Sequence, residues 1–422
     1  MAEKAENTNK KKNILHMAGD LIWAILGLVL MNGMVQLLIN PKLEQWMGEE
    51  SFGDYQSVFS IVAIMGTTFG VAANFSRMVK SRVKKDRNGD YNIFLAISSA
   101  ICVGAAAVAL VIYDSFNAKD YILLIFLMIF TVLRYYGDVF FRLHLNYKGY
   151  FVYYAVITAG YCIGLLVFRY LFEDWIITFL IGEALAFVFV FFRGDIFRGK
   201  NLFKPSPYFK ENSASMWILT GTDIITAVTQ NADRIILNLT AGGAAVTTFY
   251  VSTLLGKVVS LLTTPLNGVM IGYLEKYDGK ITKKIFSVFV FALLGLAILA
   301  TLACYVASII FVKIFYPNVF ESAKEYFFFA NAGQVFFFIS NCLMTVLLRM
   351  ANEKYQMGVN IAYAVVYAAA VVPLTIKYQI WGLVWGLMIA NIFKFVLVSV
   401  IGYTKTDKDD GEKNIPAAEK AE

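Results

Sequence analysis

The chain has 422 residues, 59% of them hydrophobic and 16% charged, with a mean hydropathy of +0.62. A soluble globular chain is about half apolar and about a quarter charged, so this composition calls for a bilayer as solvent, where only helices and closed barrels satisfy their backbone polar groups. The net charge of +7 raises the question of nucleic acid, but the basic residues sit in short loops between apolar runs and read as topology signals, so no nucleic-acid partner is expected.

Long unbroken apolar runs select helices over the short alternating strands of a barrel. Residues 1–17 are charged and read as a cytoplasmic tail. Lys10, Lys11 and Lys12 before an apolar run suggest a signal peptide. The run continues to about Asn40 with no small-residue cleavage site, so it reads as the first membrane helix. Hydropathy predicts spans over residues 18–40, 55–76, 92–113, 121–141, 150–170 and 175–192. A basic linker with Pro205 and Pro207 occupies 194–213 and separates a first lobe, 18–193, from a second, 214–403. The second lobe is predicted to span at 214–238, 246–273, 285–312, 326–348, 356–376 and 380–403, and a charged tail follows at 404–422.

The loops test this count. With the N-terminus inside, the inner segments hold Arg77, Lys80, Arg82, Lys84, Lys85 and Arg87, then Arg142 and Lys148, then Arg193 to Lys210, and later Lys276, Lys280, Lys283 and Lys284. The outer segments hold Glu44, Glu49, Glu50 and Asp54, then Asp114 and Asp120, then Glu173 and Asp174. The alternation predicts twelve spans with both termini cytoplasmic. The halves also share marks in a common order. Arg142 and Asn146 precede the fifth span as Arg349 and Asn352 precede the eleventh; Trp175 opens the sixth as Trp381 opens the twelfth; Tyr55 and Ser57 match Tyr250 and Ser252. Two parallel six-helix lobes follow, a recurrent transporter design.

Four cysteines, Cys102, Cys162, Cys304 and Cys342, lie in apolar runs without metal-ligand spacing, and the chain has only two histidines. No disulfide framework and no metal site are expected. No phosphate-binding GxxxxGK[ST] loop occurs, so the chain is not expected to hydrolyse ATP. No cofactor and no catalytic residue are expected.

Several motifs carry a family resemblance. The stretch Pro41–Tyr55, with Phe52-Gly53-Asp54-Tyr55 at its end, resembles the loop after the first helix of polysaccharide flippases. Asn231-Ala-Asp233-Arg234, followed by Thr248-Phe-Tyr250, resembles their seventh and eighth helices, and the segments from Glu353 and from Trp381 resemble their last two. The chain is similar over nearly its whole length to the Wzx-like branch of the MOP exporter superfamily. The short turn Gly242-Gly243 departs from the longer acidic loop of the first half. The resemblance implies an all-α membrane protein with two six-helix lobes, alternating access, and a cargo of oligosaccharide on a polyprenyl diphosphate. It also implies a bacterial cytoplasmic membrane, contact with membrane lipids, coupling to protons, sodium or membrane potential, and association with polysaccharide-assembly proteins.

Charges inside spans are costly and point to function. Lys257 lies about eleven residues from the outer end of its span, roughly 16 Å deep, too deep for its ammonium to snorkel. It is expected to face a wet cavity; a buried pair with Glu183 or Asp223 is the structural alternative. Lys394 lies about two turns from the inner end of its span, where snorkelling competes. Arg134, Asp138 and Arg142 recur every four residues and can form a self-satisfied ladder. By the repeat register, Asn341 stands where Arg134 stands in the first half. Cations would neutralise the diphosphate of the implied cargo, and amides would meet its hydroxyls. The substrate-binding candidates are Lys257, Lys394, Arg134, Asn341, Asn32 and Gln36; Asn74, Gln334, Asn360 and Asn391 are further lining candidates or interhelical contacts. Glu183, Asp223 and Asp20 are candidates for ion coupling.

Other readings stay open. An ion-coupled multidrug or metabolite antiporter would share the fold. A membrane glycosyltransferase or polymerase would need acidic catalysis on a substantial outer loop, and the outer loops are short. A silent assembly scaffold is a further alternative.

Overall fold

The computed structural model describes residues 19, 22–85, 87–113, 117–198, 202–261, 263, 266, 267, 270, 281–351 and 354–406. Regular structure among the described residues is entirely helical. In chain order the long helices are α1 (Ile22–Met47), α2 (Glu49–Ser81), α3 (Asn88–Ile112), α4 (Ala118–Leu143), α5 (Tyr147–Phe172) and α6 (Trp175–Arg193). They continue with α7 (Phe209–Ala241), α8 (Gly243–Leu261), α9 (Lys283–Phe315) and α10 (Phe327–Met350). A last helical run, Lys354–Lys405, is broken at Gln379, whose φ of 49° and ψ of −123° are non-helical. We number its arms α11 (354–378) and α12 (380–405).

Every expected span meets a helix over its described residues. The expectation at 246–273 is helical from Gly243 to Leu261, and most of its remainder lies outside the described residues. Nine of the described helical stretches are long and apolar enough to cross a membrane, the run holding α11 and α12 being one of them. Helix α7, which carries Asp223, Asp233 and Arg234, is not among them, and neither is α8 over its described residues. This is a multi-pass all-α membrane protein.

Local chemistry sets the boundaries. The side chains of Asn117, Asn146 and Asp174 cap α4, α5 and α6 by accepting from backbone N–H groups at 3.1, 2.9 and 3.0 Å, satisfying donors that a helix start leaves orphaned. Single π-helical turns interrupt α1 at Val35–Ile39, α2 at Gly66–Gly70 and α5 at Phe168–Phe172.

The chain forms two compact units dividing at Ile235 and Ile236, inside α7. In the first unit α5 and α6 touch backbone to backbone. A Cβ on Gly160 would lie 2.5 Å from the Gly182 Cα, and one on Gly164 would lie 2.3 Å from the Thr178 carbonyl oxygen. Small residues four apart permit such contact between membrane helices. The linker after α6 is tied to the start of α3 through fully buried Asp90, which accepts from the Ser206 N–H at 2.8 Å, from the Ser206 hydroxyl and from Asn212 Nδ2 at 2.8 Å. At the start of α7, hydrogen bonds from Lys80 and Lys85 hold the Glu211 carboxyl below its ordinary pKa.

In the second unit α10 is central, packing against α8, α9 and the final helical run. Fully buried Asn331 joins three helices: its Oδ1 accepts from the Gly256 N–H at 2.6 Å, and its Nδ2 donates to the Ser308 hydroxyl at 3.1 Å and the Ser252 carbonyl at 3.0 Å. Gly382 permits the close reversal of α12 on α11, since a Cβ there would lie 1.8 Å from the Leu374 carbonyl oxygen.

Candidate functional site

The first unit is organised around a charged core. Helix α4 turns Arg134 towards α6, and its Nε donates to both carboxylate oxygens of Glu183, at 2.9 and 2.7 Å. The two side chains are 7% and 2% exposed. Tyr161 of α5 donates its hydroxyl to the same carboxylate at 2.6 Å, and the guanidinium lies 4.1 Å from the Tyr135 ring centre. One turn along α4, Asp138 accepts from the hydroxyls of Tyr150 and Tyr154 at 3.3 and 3.1 Å and faces Arg142 at 3.7 Å. The expected α4 ladder therefore resolves into two linked groups, with Arg134 turned to Glu183. A row of tyrosines on α5, Tyr150, Tyr153, Tyr154 and Tyr161, seals both. Its spacing of three, four and seven residues marks one helical face, a signal present in the sequence.

Arg77, which ends the expected second span, is buried too. It donates to the Tyr136 hydroxyl and to Asn88 Oδ1 at 2.7 Å, and stacks over the Tyr91 ring at 5.4 Å. In a low-dielectric interior such charges persist only when paired and hydrogen-bonded.

The second unit is built from amides and one deep cation. Lys394 on α12 is 4% exposed. Its ammonium donates to Asn341 Oδ1 of α10 at 2.9 Å and sits 4.9 and 5.0 Å from the ring centres of Phe337 and Tyr363. Beside it Asn391 accepts from the Tyr363 hydroxyl at 3.0 Å and donates to the Gly333 carbonyl at 2.9 Å. The register that matches Arg134 to Asn341 thus marks one helix pair in each unit: α4 gives a cation to the carboxylate of α6, and α10 gives an amide to the cation of α12. Lys257 is half-buried on α8, with its ammonium 5.6 Å from the Phe249 ring centre.

The remaining candidates scatter. Asn32 donates to the Leu28 carbonyl of its own helix at 2.8 Å, and half-buried Gln36 lies in the π-helical turn of α1. Asp223 is half-buried on α7, and its Oδ2 is buried with no hydrogen-bond partner among the described residues. Asp20 lies outside the described residues. Among the described residues no group of His, Cys, Asp and Glu could hold a metal ion. The arrangement offers fixed charge pairs in the first unit and, in the second, Lys394 facing an amide and two rings and Lys257 near one ring.

The family model described as polysaccharide biosynthesis protein matches residues 20–276. Among curated proteins there is no sequence match. An inward-facing multidrug resistance MATE family transporter of the MOP superfamily superposes with a TM-score of 0.69 at 12% identity, covering 92% of this chain and 99% of that one. The lipid II flippase MurJ in an inward closed conformation gives 0.62 at 12% identity, over 91% and 86%. A MOP superfamily transporter from Pyrococcus furiosus, described as having a binding pocket of reversed polarity, gives 0.56 at 14% identity, over 94% and 96%. These likenesses establish the MOP transporter fold.

Proposed function

Because the chain belongs to the polysaccharide biosynthesis protein family, we propose that it is a flippase moving a polyprenyl-diphosphate-linked oligosaccharide across a bacterial cytoplasmic membrane by alternating access. In this reading both termini are cytoplasmic, the lobes are 18–193 and 214–403 with 194–213 between them, and the cargo's lipid tail stays in the bilayer.

One observation carries the choice of cargo. No Asp or Glu occurs anywhere in 243–261, 283–315, 327–350 or 354–405, whereas Lys394 is buried in α12 and Lys257 is half-buried within α8. The described carboxylates of the second unit are Glu321 and Glu325, both on the segment between α9 and α10. Lys394, 4% exposed and hydrogen-bonded to the neutral Asn341 amide, gains most from an anion that arrives as ligand. A diphosphate supplies that anion, and a cationic drug would be repelled. Asn341 and Gln334 would offer neutral groups to hydroxyls, and Asn32 and Gln36 would do so from α1.

Coupling falls to Asp223. Glu183 is neutralised by Arg134, while Asp223 has a buried oxygen without a partner among the described residues and is suited to exchange a proton or hold a cation.

The test is export of lipid-linked sugar beside thermal stability. Lys257→Met and Lys394→Met should each stop export in a folded, inserted protein. Lys257→Arg should keep part of the activity, because charge survives while its shape changes. Wild-type export by both stable Met variants would remove the cations from the mechanism.

A further inference from the structure

The ends at which α1 gives way to α2, α3 to α4 and α5 to α6 gather at one end of the first unit, the end that the charge alternation assigns to the outside. A cavity of about 390 Å³ opens there, among residues contributed by all six helix ends. A second of about 280 Å³ adjoins it, sharing Met47, Ser51 and Glu173 with the first and adding Trp46. Volumes of this order, ~300–1,000 Å³, are those of small-molecule sites.

The lining combines two chemistries. Half-buried Asp54 and Asp120 and buried Asp174 supply carboxylate oxygens, and Tyr113, Phe172 and Trp175 supply flat aromatic surface. Asp174, 9% exposed, is held in place: one oxygen accepts from the Ile176 N–H at 3.0 Å, and the other pairs with Lys119 at 3.0 Å. Trp175 is fixed by packing 4.8 Å from the Tyr55 ring. Between Phe172 and Asp174, Glu173 has a φ of 48°. Glycine would occupy that left-handed conformation with less strain, so the position presents an exposed carboxylate to both cavities at a cost in stability.

These carboxylates do not converge on a metal: among the described residues no group of three acidic, His or Cys side chains is placed to hold one. Asp120 lies against Asp174, whose own oxygens are engaged by Ile176 and Lys119, while Asp54 and Glu173 line other parts of the wall, so the lining offers acceptors at more than one place. Hydroxyls on the rim of a ring, with its C–H faces against aromatic planes, meet both halves of the lining. An anionic sugar would meet repulsion from Asp120 and Glu173, and the cations among the described lining residues are already engaged, Lys119 with Asp174 and Arg169 over the Trp46 ring.

We propose that this cavity is a saccharide subsite that binds a neutral or amino-substituted pyranose of the cargo and rejects uronic acids. The inference rests on the flippase reading and gives it a specificity: the sugar of the lipid-linked cargo would be recognised in the first unit.

The test uses the full-length protein in lipid nanodiscs, with N-acetylglucosamine, glucosamine and glucuronic acid as probes in saturation-transfer NMR. The first two should bind with about millimolar affinity, and glucuronic acid should bind at least about tenfold more weakly. The double variant Asp54→Asn/Asp120→Asn should lose binding about tenfold while its melting temperature holds. Glu173→Gly should weaken binding while its melting temperature stays or rises, an outcome that a purely structural role would not give. No transfer to any sugar, equal binding of glucuronic acid, unchanged binding in the double variant, or calcium binding that displaces the sugars would each overturn the subsite. The two readings fail separately. A protein that moves lipid-linked oligosaccharide in liposomes but binds no sugar loses the subsite alone. One that binds sugar but moves no lipid-linked cargo loses the flippase reading.

Discussion

The pair Arg134–Glu183 makes the sharpest stability prediction. Both side chains are almost fully buried, one guanidinium nitrogen serves both carboxylate oxygens, and Tyr161 adds a hydrogen bond at 2.6 Å. Removing one member of such a pair strands the other in low dielectric and costs about 3–5 kcal/mol. Glu183→Gln keeps an oxygen that can still accept from Arg134, so it belongs near ~3 kcal/mol; Arg134→Met leaves a carboxylate with only Tyr161 and belongs near ~5 kcal/mol. Removing both charges together is often close to neutral, so the double variant should recover most of the loss, with a coupling of about 3 kcal/mol or more. The assay is reversible unfolding in mixed micelles for wild type, both single variants and the double. A loss of ~3 kcal/mol is roughly two decades in the folding equilibrium constant, well within reach of such titrations. Additive single effects would refute the reasoning. So would a Glu183→Gln protein of wild-type stability that no longer transports, which would make Glu183 a coupling residue and not half of a structural pair.

The topology account predicts that, in a cysteine-free background, Ala118→Cys labels from outside and Lys84→Cys does not; the reverse pattern would overturn the orientation. Gly160→Leu should push α5 from α6 and expose Tyr161 and Glu183, a loss of about 1–3 kcal/mol by overpacking in the same unfolding assay. The Glu211 contact with Lys80 and Lys85 is present while the carboxylate is ionised and is lost as pH falls from the ordinary carboxylate range through the lower folded-state value. Protection of the amides at the start of α7, taken relative to the intrinsic exchange rate at each pH, should therefore fall on acidification, and Glu211→Gln should abolish that dependence.

The helices were legible because apolar runs and alternating loop charge are first-order consequences of a bilayer. The sequence predicted a break between residues 376 and 380, and the chain reverses at Gln379. Which charges meet was not legible. Arg134 and Glu183 are 49 residues apart, and nothing in the local spacing of either predicts the other; the four-residue ladder on α4 was the visible alternative. The role of Asp90 was hidden for the same reason, since its partners lie 116 and 122 residues away in a segment read as a plain linker. The tyrosine face of α5 was visible as a pattern, but tyrosines in an apolar helix also serve as interfacial belts. The absence of acid throughout the later spans was readable from the sequence. It gained meaning once Lys394 proved buried among Asn341, Phe337 and Tyr363.

An anionic, lipid-linked sugar is the cargo we propose. The direct measurement is transbilayer movement of a fluorescent polyprenyl-diphosphate oligosaccharide in liposomes holding the purified protein. Wild type should move it, the Lys257→Met/Lys394→Met double variant should not, and the same glycolipid with an uncharged linkage in place of the diphosphate should stay put. Equal movement of the uncharged glycolipid, or full movement by a folded double variant, would contradict the account.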